Sequence, residues 1–223
     1  MFNIGEMPKQ LGDELVAALA RVETATVGHF SRRGFLAPGL RPILPDRRAA
    51  GTAVTVSIAG EDSALLHHAM GLVRPGDFLV VDRCGDRLHA CWGGFMSVAA
   101  KVCGLVGAVI DGVVADPADI RASGVPIWCR GVSPITTQLL ALGGSLNMPV
   151  HCGGILVNPG DAIIADESGI LTLAPADAAA VAEQALGLQM EELEELRRLR
   201  AGEKAPDVTG ASDMIRMAMA ARA

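Results

Sequence analysis

The chain has 223 residues, half of them apolar, which suits one elaborated hydrophobic core at the upper end of what a single core fills. Aromatic residues make up only 3%, tyrosine is absent, and 19 basic against 25 acidic side chains leave a formal charge of −6. A base-stacking platform and a phosphate-tracking surface are therefore both missing, so a small molecule or a protein is the expected partner and nucleic acid is not. The five cysteines (Cys84, Cys91, Cys103, Cys129, Cys152) form no CxxC pair. They suggest reduced, mostly buried thiols rather than a zinc cluster or a disulfide framework. The first residues carry acids where a signal peptide needs a basic start, and no window reaches roughly 18 consecutive apolar residues, so a cytoplasmic protein without a membrane span is expected.

Along the chain, apolar residues from Leu11 to Val22 recur at helical spacing, and the β-branched run Thr24-Ala25-Thr26-Val27 is expected to break that helix with a turn or strand. Pro38, Pro42 and Pro45 mark a loop, and Thr52 to Ile58 reads as a strand. Asp62 or Ser63 can cap a helix running to about Val73, where Arg74-Pro75-Gly76-Asp77 ends it. A helix is expected from Gly93 to about Cys103, followed by a short strand from Gly107 to Ile110 that stops at Asp111-Gly112. Asp116-Pro117 opens the next helix, to Ala122, with proline at its first position. Strand character returns at Val125 to Cys129, Pro149 to Val157 and Ile170 to Leu173, and Ala176 to Arg200 forms a long helix bearing Glu191, Glu192, Glu194 and Glu195. One domain over 1–223 is expected, with 204–223 as a surface tail.

One segment echoes another. Pro75-Gly76-Asp77, Phe78 to Val81, Asp82 and Gly85 match Pro159-Gly160-Asp161, Ala162 to Ala165, Asp166 and Gly169 at identical spacing, which predicts two similar β-hairpin elements. With βα alternation in the middle and antiparallel hairpins around it, the predicted fold is an α/β protein of layered β/β/α type rather than a pure doubly wound sheet.

Two places suit chemistry. Cys91-Trp92-Gly93-Gly94-Phe95-Met96 opens a helix with two glycines, leaving backbone amides at the positive end of the helix dipole, where a carboxylate can bind. Asp111-Gly112-Val113-Val114-Ala115-Asp116 places two carboxylates around a strand end, suited to a hard cation such as Mg²⁺. The same aspartates also serve as turn former and helix cap, and local sequence leaves both readings open. No HxxxH or HxH pair is present. His29 and His89 are the histidines placed as pocket candidates, and His67 and His68 are assigned to an amphipathic helix. The chain has no GxSxG, Walker or GxGxxG motif.

Taken together, Thr24 to Val27, Gly51 to Val56, the Pro-Gly-Asp strand with Asp82, Gly93 to Met96, Gly107 to Asp116, Pro126 with Arg130-Gly131 and Ser133-Pro134, and Cys152-Gly153-Gly154 through Gly169 resemble the RraA-like family. That family takes in 4-hydroxy-4-methyl-2-oxoglutarate/4-carboxy-4-hydroxy-2-oxoadipate aldolases, oxaloacetate decarboxylases and the regulator of ribonuclease E activity. The resemblance implies a swivelling β/β/α fold, a homotrimer or dimer of trimers, and a pocket between subunits. It also implies Mg²⁺ or Mn²⁺ at Asp116, the final residue of a DGxxRD motif, and a substrate carboxylate held by the turn Gly93, Gly94, Phe95 and Met96. Glu192 of a neighbouring subunit's C-terminal helix is the placement for an acid that helps hold the metal. The motif arginine is Ala115 here, and the turn's usual acidic residue is Gly94. Arg83, Arg87, Arg121 and Arg130 are the candidates to replace the arginine. The implied function is a metal-dependent carbon–carbon lyase on a small oxo acid, acting through a pyruvate enolate. The alternative is a non-catalytic protein-binding regulator of ribonuclease activity.

Overall fold

The computed structural model describes residues 1–221. They group into two compact units, Met1–Ala182 and the segment beginning at Glu183. In the first unit, β1 (Phe2–Ile4), α1 (Asp13–Leu19), α2 (Thr24–Phe30) and β2 (Arg41–Pro42) precede β3 (Ala49–Ser57), α3 (Ala64–Ala69), β4 (Asp77–Asp82), α4 (Gly94–Val102), β5 (Gly107–Val114), α5 (Pro117–Ser123) and β6 (Ile127–Val132). The chain continues through β7 (Gly144–Leu146), β8 (Val150–Cys152), β9 (Ile155–Val157), β10 (Ala162–Ala165) and β11 (Ile170–Leu173) into the long helix α6 (Pro175–Arg200).

Strands β3, β4, β5 and β6 are parallel neighbours, and α3, α4 and α5 make the crossovers between them. Their side chains sort with the period of two that a pleated strand imposes. Val54, Val56, Leu79, Val81, Ala108, Ile110, Ile127 and Cys129 pack with Leu66, Met96, Ala100 and Ile120 of the helices. The alternate residues Ala53, Phe78, Val80, Val109 and Trp128 pack with Val150, Cys152 and Val157 of the β8–β9 hairpin. One sheet thus has helices on one face and a small β layer on the other, which is the expected β/β/α arrangement. Both faces are dry, so these strands read as nearly continuous apolar runs.

Several expectations are corrected. The first helix ends earlier, at Leu19, and Thr24 to Val27 open a second helix, α2, rather than forming a turn or strand, because the Thr24 amide and hydroxyl both bond the Asp166 carboxylate (2.8 and 2.6 Å) and Thr24, Thr26 and Val27 are buried. Tertiary partners here override the weak helix propensity of β-branched residues. Strand β5 does not stop at Asp111 but runs to Val114, with an irregularity in its pairing to β6 between Ile110 and Val113. Of the two echoed segments only the second, β10 with β11, is a hairpin. The first, β4, is an interior parallel strand, and both copies flank β3, β4 parallel and β10 antiparallel to it.

In the second unit, the mostly exposed residues 204–221 carry two helices, α7 (Ala205–Thr209) and α8 (Ala211–Ala220); the last two residues of the expected 204–223 tail lie outside those described. No helix among the described residues is long and apolar enough to cross a membrane.

Candidate active site

A cavity of about 250 Å³ opens where the four parallel strands end. Ser63 and His67 follow β3, Ala90 to Met96 follow β4, Ala115 and Asp116 follow β5, and Thr136, Thr137 and Leu139 follow β6. Each lining segment therefore leaves the carboxyl end of a strand, the position at which open α/β sheets bind ligands. Asp62 holds the fourth segment in place, its carboxylate accepting the amides of Ala64, Leu140 and Leu142 at 2.8, 3.0 and 2.6 Å.

The geometry around Asp116 is tightly set. The Ala115 amide donates to the Trp92 carbonyl at 2.8 Å, which pins the end of β5 to the segment after β4. Asp116 then takes a left-handed conformation (φ 50°, ψ 52°), which aspartate tolerates better than most residues. Its carbonyl accepts the Ile120 amide and so starts α5, but its side chain does not cap that helix. The carboxylate instead reaches the neighbouring helix, where Oδ2 accepts the Gly94 amide at 3.1 Å. Glycine at position 93 is required by this approach, since a Cβ there would lie 2.5 Å from Oδ2. Oδ1 accepts no hydrogen bond among the described residues.

Beside this carboxylate α4 begins. The Gly94 amide is taken by Asp116, a departure from the expected role of all four residues 93–96 in binding substrate. The Phe95 and Met96 amides donate to no acceptor among the described residues, and so remain available at the positive end of the helix. Met96 is buried, whereas Phe95 is 75% exposed and stacks on His67 with ring centroids 5.7 Å apart. A side chain at position 94 is barred by Asp119, whose Cβ and Oδ2 lie 2.9 and 3.0 Å from where a Cβ would stand. Asp119 and the acidic residue that the family resemblance places at position 94 thus exclude one another.

Other candidates fall elsewhere. Asp111 lies within β5 and binds Arg130 Nε at 2.7 Å, Arg87 Nη1 at 3.2 Å and the Gly153 amide at 2.6 Å. Burial alone would raise its pKa, but the hydrogen bonds from Arg130 and Gly153 hold it below the usual carboxylate range. Arg87 and Arg130 are thereby committed. Arg83 is fully buried, bonded to the carbonyls of Ile58, Gly60 and His89 and 3.7 Å from Asp86. Arg121 is exposed on α5. None of the four lines the cavity. His89 is held by Asp86 (2.7 Å) and His29 is exposed on α2, so the histidine at the cavity is His67, which the sequence pattern assigns only to a helix face. Burial lowers the His67 pKa, keeping its imidazole neutral near pH 7. Burial pushes the Cys91 thiol up to about 11, so this cavity residue is no thiolate nucleophile. Glu192 belongs to the second unit, exposed on α6.

No group of three or more His, Cys, Asp or Glu that could hold a metal is found among the described residues. A closed zinc cage is not what these residues offer. One aimed carboxylate with an unshared oxygen at an open cavity does fit Mg²⁺ or Mn²⁺, since Mg²⁺ takes one or two protein oxygens and keeps several waters.

A family model described as RraA-like, Aldolase/RraA, matches residues 12–172. The chain belongs to the RraA-like family. It is 34% identical over 134 residues to a protein of Halalkalibacterium halodurans named "Putative 4-hydroxy-4-methyl-2-oxoglutarate aldolase", a match covering 60% of this chain and 63% of that one. It is also 32% identical over 173 residues to an uncharacterized protein of Methanocaldococcus jannaschii, covering 76% and 82% of the two chains. Among solved structures it resembles Streptomyces coelicolor RraAS2, described as an unusual member of the RNase ES inhibitor RraA protein family. That likeness has a TM-score of 0.71 at 30% identity, over 87% of this chain and 98% of the other. The α/β fold described above is thus the RraA-like fold.

Proposed function

We propose that this RraA-like protein is a divalent-metal-dependent carbon–carbon lyase acting on a small oxo acid, of the 4-hydroxy-4-methyl-2-oxoglutarate aldolase or oxaloacetate decarboxylase kind. One observation carries the reading: Asp116, held by the Gly94 amide, keeps an unshared oxygen in a cavity whose wall also presents the unpaired Phe95 and Met96 amides. Asp116 would hold Mg²⁺ or Mn²⁺, and the acid at Glu192 of a neighbouring subunit, in a homotrimer or dimer of trimers, would help hold it. When bound, the cation supplies Lewis-acid stabilisation of the negative oxygen that develops as a pyruvate enolate forms. The Phe95 and Met96 amides orient the substrate carboxylate, and the Gly94 amide fixes the direction of Asp116 before substrate arrives, so no reorganisation is needed during reaction.

Position 115 sets a limit on this chemistry. An arginine aimed at the substrate is worth on the order of 3 kcal/mol when it stabilises a transition state, and Ala115 supplies none of it. The substrate is therefore one that does without that contact. Purified protein should release pyruvate from oxaloacetate in a Mg²⁺-dependent manner above the metal-only background, and Asp116→Ala should abolish the excess. Equal rates for the two proteins would remove the lyase reading.

A second reading is favoured by the same position: with Ala115 and Gly94 in place of charged residues, the protein would act as a non-catalytic regulator that binds a ribonuclease, in keeping with the description of RraAS2 as a member of the RNase ES inhibitor RraA protein family. A binding module has no use for a divalent cation at Asp116, and metal binding separates the two.

A further inference from the structure

This inference rests on the lyase site above and concerns a segment that lines it. The chain leaving β6 crosses the carboxyl ends of the neighbouring strands instead of turning back at once. It first meets the segment after β4, where the Ala90 amide donates to the Ile135 carbonyl at 2.7 Å and the Thr137 amide donates to the Ala90 carbonyl at 3.1 Å. It then reaches the segment after β3, where the Gln138 amide donates to the Glu61 carbonyl at 2.7 Å and the Ser63 amide to the Gln138 carbonyl at 2.9 Å. Because β5 and β4 lie between β6 and β3, residues 135–142 form a strap over the strand ends, and Thr136, Thr137 and Leu139 of that strap line the cavity.

What holds the far end of the strap is a buried carboxylate. Asp62 is 2% exposed, and no cation pairs with it among the described residues. Its Oδ1 accepts the amides of Ala64 and Leu140, and its Oδ2 accepts the amide of Leu142. Ala64 starts α3, the helix that carries His67, whereas the two leucines lie 78 and 80 residues further along the chain. Between them Ala141 takes a left-handed conformation (φ 56°), which alanine holds only where its surroundings impose it. Ile135, Leu139 and Leu142 are exposed, so apolar burial within the chain does not hold the strap in place. A carboxylate suits this position because both of its oxygens accept, whereas a carboxamide would turn an NH₂ donor against one of the amides.

We propose that Asp62 is a positioning residue for the lyase: by clamping the strap to the start of α3 it places Thr136, Thr137 and Leu139 at the cavity, and so sets the affinity for the oxo acid without touching Asp116 or its metal.

Asp62→Ser isolates this role. A serine hydroxyl still accepts the amide two residues on and keeps the turn into α3, but it is one bond shorter and withdraws from the strap. The assembly should stay folded with unchanged Mn²⁺ affinity, while the Leu140 and Leu142 amides exchange hydrogen about a hundredfold faster. KM for Mg²⁺-dependent pyruvate release from oxaloacetate, and Kd for pyruvate by calorimetry in Mg²⁺, should both rise about tenfold, with kcat within about twofold of the parent. Asp62→Asn can keep the Ala64 and Leu140 bonds and lose only that of Leu142, so it should fall between the two, and it carries the test if Asp62→Ser does not fold. Faster exchange at the two leucines with unchanged KM and Kd overturns the proposal, since Asp62 is then structural only. So does a loss of Mn²⁺ affinity in step with that of pyruvate, or a parent that binds no pyruvate. Recovery of the parent KM at high protein concentration overturns it as well, because the strap then acts only as a contact between copies. Strap-dependent pyruvate binding with no release of pyruvate from oxaloacetate leaves this positioning role standing and removes the lyase reading instead.

Discussion

Asp111 and Asp116 sit five residues apart at the two ends of one short stretch, and they have opposite surroundings. Asp111, within β5, has both carboxylate oxygens occupied, Oδ1 by Arg130 and Arg87 and Oδ2 by the Gly153 amide. Asp116, past the strand end, has one oxygen fixed by Gly94 and the other unshared at a cavity. In sequence both are aspartates placed around one strand end. What separates them is the set of long-range neighbours: a fully satisfied carboxylate holds elements together, whereas a half-satisfied one, rigidly aimed, is free to bind something else.

The contrast predicts different failures. The largest effect is expected at Asp116: replacement by alanine should lower Mg²⁺-dependent pyruvate release by at least about a hundredfold, while the melting temperature stays near that of the parent. Loss of folding without a specific loss of activity would make Asp116 structural like Asp111. Next comes Gly93→Ala. The backbone there (φ −156°) accepts alanine, but the new Cβ would meet Asp116 Oδ2 at 2.5 Å, and the end of that side chain is what can move. The fold should survive, with Mn²⁺ affinity falling roughly tenfold as the carboxylate swings off its Gly94 anchor. A parent-like affinity would show that the aim of Asp116 does not matter.

The third change reverses the pattern. Asp111→Ala should lower stability by about 1–3 kcal/mol, because the Arg130 guanidinium and the Gly153 amide lose their partner. Metal affinity should stay unchanged, as denaturant melts and a metal titration on the same sample would show. The smallest effect concerns Asp86, whose carboxyl lies at about 2: burial opposes ionisation, but the His89 amide and ring, the Leu88 amide and Arg83 more than offset it. Its folded pKa is below its unfolded value, so its contribution is present above about pH 4 and is lost as pH falls toward 2. Asp86→Asn should lose on the order of 1–2 kcal/mol at neutral pH, and should show less acid destabilisation than the parent over that window. Parallel stability curves across that range would contradict this.

Much of the fold was legible because it rests on local periodicity. The alternation from Thr52 to Ile58, the proline at the start of α5 and the long run of α6 each state their structure within a few residues. The misses have a common cause in partners distant along the chain. Thr24 is helical because of Asp166, 142 residues away, and Asp111 is structural because of Arg130 and Gly153. The Asp116 site was visible as a motif, but His67 was not, because the cavity is assembled from segments after four different strands and no short window contains it. The parallel order of those strands was the signal that would have found it: in such a sheet the segment following every strand is a candidate wall, including the helix after β3.

The central claim is that Asp116 holds a divalent cation at the strand ends. Titrating Mn²⁺ into the protein and following free Mn²⁺ by electron paramagnetic resonance tests it most directly, with Mg²⁺ competition and Asp116→Asn as the comparison. The account predicts one Mg²⁺-displaceable Mn²⁺ site per chain, weakened at least tenfold by the substitution. Unchanged Mn²⁺ binding in Asp116→Asn, or no binding in the parent, would contradict it.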